Sequence, residues 1–176
     1  MTRSFHHLYL TGYRGSGKTS VAKWLGQKLN LPALDLDDRI EALADLSIRQ
    51  IFEREGELGF RNRESAALKS VSRESASVVS LGGGAILRDE NREVIQVTGF
   101  CVWLKIDADT ALQRMAGDST TSERRPALTS LPPREEIISL LHQRAPFYAA
   151  AANAEIDVVG KGIEAIGEEV LALVTA

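Results

Sequence analysis

Cysteine occurs once in the 176 residues, at Cys101, so no internal disulfide can form and a reducing cytoplasm is the expected compartment. Histidine is scarce as well, and His6, His7 and His142 show no metal-ligand spacing with any partner. Long apolar runs are missing. The longest, from Phe147 to Ala152, is six residues, where a bilayer span needs about 20. The chain passes from Met1 to His7 and then into a strand pattern, with no apolar stretch long enough for a secretion signal, so no membrane contact is expected. Neither charge dominates: 24 Asp and Glu stand against 21 Lys and Arg, a net charge of −3. The basic residues are spread along the chain, which argues against a nucleic-acid partner held by a basic stripe. What is present is a hydrophobic content of 44%, enough for a real core in one domain covering 1–176.

Short β-rich runs alternate with helical patterns. They predict an α/β fold whose five-stranded, mainly parallel sheet is covered by helices on both faces. Strands are expected at 7–11, 32–37, 78–81, 100–106 and 154–159. Helices are expected at 17–29, 39–44, 47–55, 57–75, 110–116, after Pro133 to about 151, and 163–174, with a break at Gly56. Asp38, with Glu41 three residues on, resembles a capping box opening the helix at 39. The stretch 117–133 turns polar, carries Ser-Thr-Thr-Ser and three prolines, and reads as a long mobile loop. Cys101, Trp24 and Trp103 read as packing residues.

Gly12-Tyr13-Arg14-Gly15-Ser16-Gly17-Lys18-Thr19 matches G-x-x-x-x-G-K-[ST] and sits between a predicted strand and a predicted helix, the context that gives the motif its meaning. Its glycines let the backbone curl so that successive N–H groups, among them those of Gly15, Ser16, Gly17 and Ser20, face one anion at a helix N-terminus. Lys18 would reach the β- and γ-phosphates, and the Thr19 hydroxyl would be a Mg²⁺ ligand. The expected ligand is a nucleoside triphosphate. The nearest thing to a guanine-reading segment is Leu104-Lys105-Ile106-Asp107, and a leucine cannot hydrogen-bond a base edge. ATP is therefore favoured.

Leu34-Asp35-Leu36-Asp37 alternates at period two, which would put Asp35 and Asp37 on one side of the second strand's C-terminal end. One of them could instead cap the next helix, although Asp38 is better placed for that. As a pair they suit the two acidic tasks of phosphoryl transfer: holding Mg²⁺ through water, and accepting a proton from an attacking hydroxyl. Gly82-Gly83-Gly84 closes the third strand, and three glycines suggest backbone approaching a ligand. Arg61 has Glu57 at i−4 and Glu64 at i+3, so by itself an ordinary helix salt bridge explains it. Arg144 is flanked at helical spacing by Leu140, Leu141, Phe147 and Tyr148, which points its guanidinium at something anionic. Arg125, beside Arg124, lies where a flexible basic loop could fold over phosphate.

Taken in order, the phosphate loop, Asp35-Leu36-Asp37, Gly59-Phe60-Arg61 with Glu64, Ser80-Leu81-Gly82-Gly83-Gly84-Ala85, Arg125-Pro126 and Gln143-Arg144-Ala145-Pro146-Phe147-Tyr148 resemble the shikimate kinase family over nearly the whole chain. The resemblance implies ATP-dependent phosphorylation of the 3-hydroxyl of shikimate by a monomer with strand order 2-3-1-4-5. It implies that Asp37 contacts that hydroxyl, that Asp35 supports Mg²⁺ through water, and that Arg61 and Arg144 clasp the substrate carboxylate. The glycine triplet would line the ring, with the substrate-binding helices at 37–75, and Arg125 would close down from a lid at 117–133. Arg114 matches the arginine that flanks adenine in this family, but the facing loop, Val159-Gly160-Lys161-Gly162, lacks the usual proline. Rivals are another small-molecule kinase such as a gluconate kinase, which should lack the two carboxylate-binding arginines, and a catalytically silent nucleotide-binding regulator, against which Lys18, Asp35 and Asp37 speak.

Overall fold

Five parallel strands form one sheet in the order β2-β3-β1-β4-β5, seen in a computed structural model that describes residues 6–118 and 127–176. The strands are β1 (His7–Thr11), β2 (Ala33–Asp35), β3 (Ser77–Ser80), β4 (Gly99–Lys105) and β5 (Ala154–Asp157). The helices are α1 (Lys18–Leu29), α2 (Leu36–Ala44), α3 (Ile48–Val71), α4 (Asp89–Thr98), α5 (Ala108–Ala116), α6 (Pro133–Ala151) and α7 (Ile163–Thr175), with a 3₁₀ turn at Ala85–Leu87. Among the described residues no helix is long and apolar enough to cross a membrane. The expected lid falls largely outside the description, Arg124, Arg125 and Pro126 included.

A sheet buried on both faces needs apolar residues at odd and even positions alike, and β1 supplies them. Leu8 and Leu10 join Leu25 of α1 and Ile166 and Val170 of α7 in one core. Tyr9 points the other way, to Phe60 and Leu68 of α3, Ile95 of α4 and Tyr148 of α6. Trp24 packs in the first core, and Cys101 and Trp103 in the second. Because all strands are parallel, their C-terminal ends share one edge. The chain runs from β1 out to the β2 side and later returns past β1 to β4, so a crevice opens beside β1 where the direction of winding reverses.

Three local expectations are corrected. β2 stops at Asp35 and α2 begins at Leu36, so Asp37 lies in the first turn of a helix rather than on a strand. The cap is Asp35, whose carboxylate accepts from the backbone N–H groups of Asp37 (2.9 Å) and Asp38 (3.3 Å); Asp38 lies within the first turn of α2 rather than before it. Glu41 turns away from α2's start and accepts instead from the N–H of Ile48 at 3.0 Å, while the capping box forms at Ser47 and Gln50, opening α3. The physical reason is competition: a carboxylate at the end of a strand can reach two orphan donors of the next turn at once, and ends the strand by doing so. The break at Gly56 is real, with φ 68° and ψ −171° inside α3.

Candidate functional site

The glycine-rich turn between β1 and α1 needs backbone that only glycine adopts cheaply, since Gly12, Gly15 and Gly17 have φ of 145°, 80° and 90°. Gly12 is further restricted by space, because a Cβ there would stand 2.5 Å from the Leu104 carbonyl oxygen. Gly17 in this conformation is the N-cap of α1 and has no side chain to satisfy the first-turn N–H groups, which leaves them for an anion. The Lys18 ammonium donates to the carbonyls of Gly12 (2.7 Å) and Tyr13 (3.0 Å), bending back over the turn it follows. The Ser16 hydroxyl is buried within the turn without a hydrogen-bond partner.

On the next strand ends, the Thr19 hydroxyl donates to Asp35 Oδ2 at 2.7 Å and lies 3.3 Å from the Ser80 hydroxyl. Burial pushes the Asp35 carboxyl above the usual carboxylate range, and the neighbouring charges of Asp37 and Asp38 add to this, against the Thr19 hydrogen bond. Among the described residues no cation is paired with this carboxylate. A divalent cation fits it: the donors are hard oxygens, and Mg²⁺ takes one or two carboxylates together with phosphate oxygens and water rather than an all-protein cage. Among the described residues no cluster of three or more acidic, His or Cys side chains offers such a cage.

These elements surround a cleft of about 870 Å³ lined by the phosphate turn, Ser20, Asp35, Asp37, Ser80, Gly82, Gly83 and Arg114. The glycine-rich turn and the paired carboxylates are thus brought together. Arg61, Arg144 and Gly84 stand behind the wall instead of lining it. A Cβ on Gly84 would overlap the Arg61 guanidinium, and one on Gly83 would lie 3.4 Å from Arg144 Nη1. Gly84 is therefore required by the Arg61 guanidinium, whereas a Cβ at Gly83 would make ordinary contact with its neighbours.

The two arginines differ in their partners. Arg61 pairs with Glu57 at 3.6 Å and Glu64 at 2.8 Å, as the helical spacing implies, but it is no surface residue: it is 6% exposed and Glu64 is fully buried. Its reading as an ordinary helix salt bridge is corrected on that point, because the helix face it occupies is turned to the core beside Phe60. Arg144 is 5% exposed and sits 5.9 Å from the Tyr13 ring, and among the described residues no acid lies within ion-pair distance of it. Arg114 is tied to backbone on both sides of the nucleotide end, donating to the carbonyls of Gly15 (3.1 Å), Val158 (3.2 Å) and Lys161 (3.1 Å). The sequence left unassigned Arg14, Lys23 and Arg49, which also line the cleft. Arg49 carried no signal, since its spacing to Glu53 is that of any exposed helical pair.

A family model described as Shikimate kinase matches residues 14–175. The shikimate kinase of Rhodopirellula baltica is 51% identical over 165 residues, which cover 94% of this chain and 88% of that one. Among solved structures, the shikimate kinase from Acinetobacter baumannii in complex with shikimate superposes with a TM-score of 0.89 at 34% identity, over 97% of this chain and 93% of that chain. A gluconokinase from Sinorhizobium meliloti, at 19% identity and a TM-score of 0.63 over 97% of this chain and 92% of that chain, shares the fold alone. With the phosphate turn, the paired carboxylates and the two buried arginines in their places, the chain belongs to the shikimate kinase family.

Proposed function

We propose that the protein transfers the γ-phosphoryl group of ATP to the 3-hydroxyl of shikimate, with Asp37 as the group that orients and deprotonates that hydroxyl. One observation carries the choice of an anionic acceptor: Arg144 is a nearly buried cation with no acid beside it among the described residues, packed behind the glycine wall of the cleft. A buried unpaired guanidinium is costly, and a substrate carboxylate would complete it. Arg61, held by Glu64, presents a second guanidinium to the other end of the triplet.

Thr19 and Asp35 would hold Mg²⁺, which would supply positive charge to offset the charge that develops on the phosphate oxygens. The N–H groups of the turn and Lys18 hold the same phosphates from the opposite side. Asp37, in the first turn of α2, is kept near Asp35 by the cap that starts the helix, so the metal-supporting acid and the base are fixed relative to each other by one local motif. Arg125 is assigned to the transferring phosphate by its family motif and lies outside the described residues. We place the protein in the cytoplasm as a monomer, in keeping with one thiol, Cys101, buried so that its pKa is pushed up and its reactivity lowered. A coupled ADP-release assay across shikimate, quinate, gluconate and nucleoside monophosphates tests the substrate. Release should accelerate strongly with shikimate alone, and equal rates with and without it would refute the assignment.

A further inference from the structure

In the segment that carries Arg144, one further residue reaches the glycine wall of the cleft from behind and has no role in the scheme above. Tyr148 follows Arg144 by four positions on α6, so the two side chains leave the same helix face. Tyr148 is fully buried, and its ring stacks on Trp103 of β4 with centroids 5.4 Å apart. Its hydroxyl donates to the Gly83 carbonyl at 2.6 Å, at the short end of the range for such bonds. The carbonyls on either side, Gly82 and Gly84, accept from Ala85 (3.0 Å) and Leu87 (3.1 Å) in the 3₁₀ turn, so the middle peptide of the triplet takes its donor from a distant element. Gly83 is also where the two sides of the cleft touch. A Cβ there would lie 3.4 Å from Arg144 Nη1, 3.5 Å from the Gly12 carbonyl oxygen and 3.7 Å from the Tyr148 hydroxyl.

We infer that Tyr148 is a positioning residue for substrate binding: its hydroxyl fixes the Gly83 peptide against α6 and so sets the spacing between the cleft wall and the Arg144 guanidinium. This deepens the reading proposed above and rests on it for the identity of the ligand. A ring clamped between packed neighbours has few torsions left, which makes the hydroxyl a stiff spacer. Phenylalanine keeps the ring and its stack but leaves the Gly83 carbonyl without this donor, so the peptide is free to turn and the arginine–wall distance is no longer set. The nucleotide side, built from the backbone of the phosphate turn, should be nearly indifferent.

The test compares Tyr148→Phe with Tyr9→Phe in the full chain. Tyr9 is fully buried in the same core and donates or accepts one hydrogen bond with the Thr98 hydroxyl at 2.8 Å, away from the cleft, so it controls for losing a buried tyrosine hydroxyl. Both variants should lower the melting temperature by similar amounts. Only Tyr148→Phe should raise the KM and calorimetric Kd for shikimate, by about five- to tenfold, the worth of one hydrogen bond. The Kd for a non-hydrolysable ATP analogue should change less than about twofold in either variant. The same pair is compared by hydrogen exchange without substrate, where amides at 83–86 should exchange faster in Tyr148→Phe alone. Equal shikimate Kd values for wild type and Tyr148→Phe, equal losses in both variants, or unchanged exchange at 83–86 would each overturn the inference. If wild type binds no shikimate, the substrate reading fails instead, and the exchange comparison still decides whether Tyr148 holds the glycine segment.

Discussion

The two sides of the cleft meet charge by different means. On the phosphate side the residues are contiguous, 12–19, and the binding groups are backbone N–H donors whose direction is set by three glycines with positive φ. On the other side the groups are side chains from α3 and α6, Arg61 and Arg144, brought together only by packing against the glycine triplet. A backbone cradle carries no net charge, so it can stand ready without a counter-ion. A buried guanidinium cannot do so without penalty, and the protein handles this unequally: among the described residues Arg61 has a buried acid beside it and Arg144 has none. The difference teaches that one arginine is tethered as part of the fold, while the other has the environment that the proposed role as a ligand-binding group requires.

The sharpest way to break this contrast is to remove each charge while keeping bulk. Arg61→Met leaves the fully buried Glu64 without its guanidinium and should cost about 3–5 kcal/mol in chemical denaturation. Arg144→Met removes a buried cation that has no acid beside it and should cost little stability or none. If the two losses are equal, Arg144 is compensated within the protein and the contrast is lost. Next in size, Asp37→Asn should lower kcat at least ~10²-fold, the scale of a positioned base, with nucleotide affinity nearly intact. Collapse of nucleotide binding in a titration would move Asp37 to the metal and erase the division of labour with Asp35.

Arg144→Lys keeps the charge and loses the planar fork, so shikimate binding should weaken by roughly 1.5–3 kcal/mol by calorimetry while ATP binding holds. An unchanged affinity would mean that only charge matters on the substrate side and that the planar fork is not used. The smallest effect concerns Asp35, whose carboxyl is raised by burial. A carboxyl raised in the folded state destabilises the fold above its folded pKa, and this cost disappears as pH falls below the unfolded value. Asp35→Asn retains a capping side chain and removes the charge, so the melting temperature at neutral pH should rise by about 2–4 °C, the equivalent of ~1 kcal/mol in a chain of this size. That gain should shrink toward acid pH, and activity should need more Mg²⁺. A lower melting temperature at neutral pH would show that the charge is already compensated.

Sequence by itself determined the parallel α/β fold, its strand order by family resemblance, and the whole phosphate turn. These depend on near neighbours: the glycines, Lys18 and Thr19 lie within one turn and its helix, and alternating β and helical runs imply crossovers. It also supplied the helix that runs from Pro133 to about Ala151, although Pro133 was expected to precede it and in fact occupies its first turn. Tertiary structure alone decided which aspartate caps α2, since the three carboxylates of Asp35, Asp37 and Asp38 lie within four residues and can pair in several ways until the strand end is fixed. Burial of Arg61 was equally out of reach, because a salt bridge at helical spacing looks the same on a surface and in a core. So was the reason for a glycine at 84, which must make room for a guanidinium that is far away along the chain, and the hydrogen bond that the Gly83 carbonyl accepts from a tyrosine 65 residues later. Contacts of that separation leave no local periodicity to read, and they exist only once the sheet has brought its strand ends to one edge.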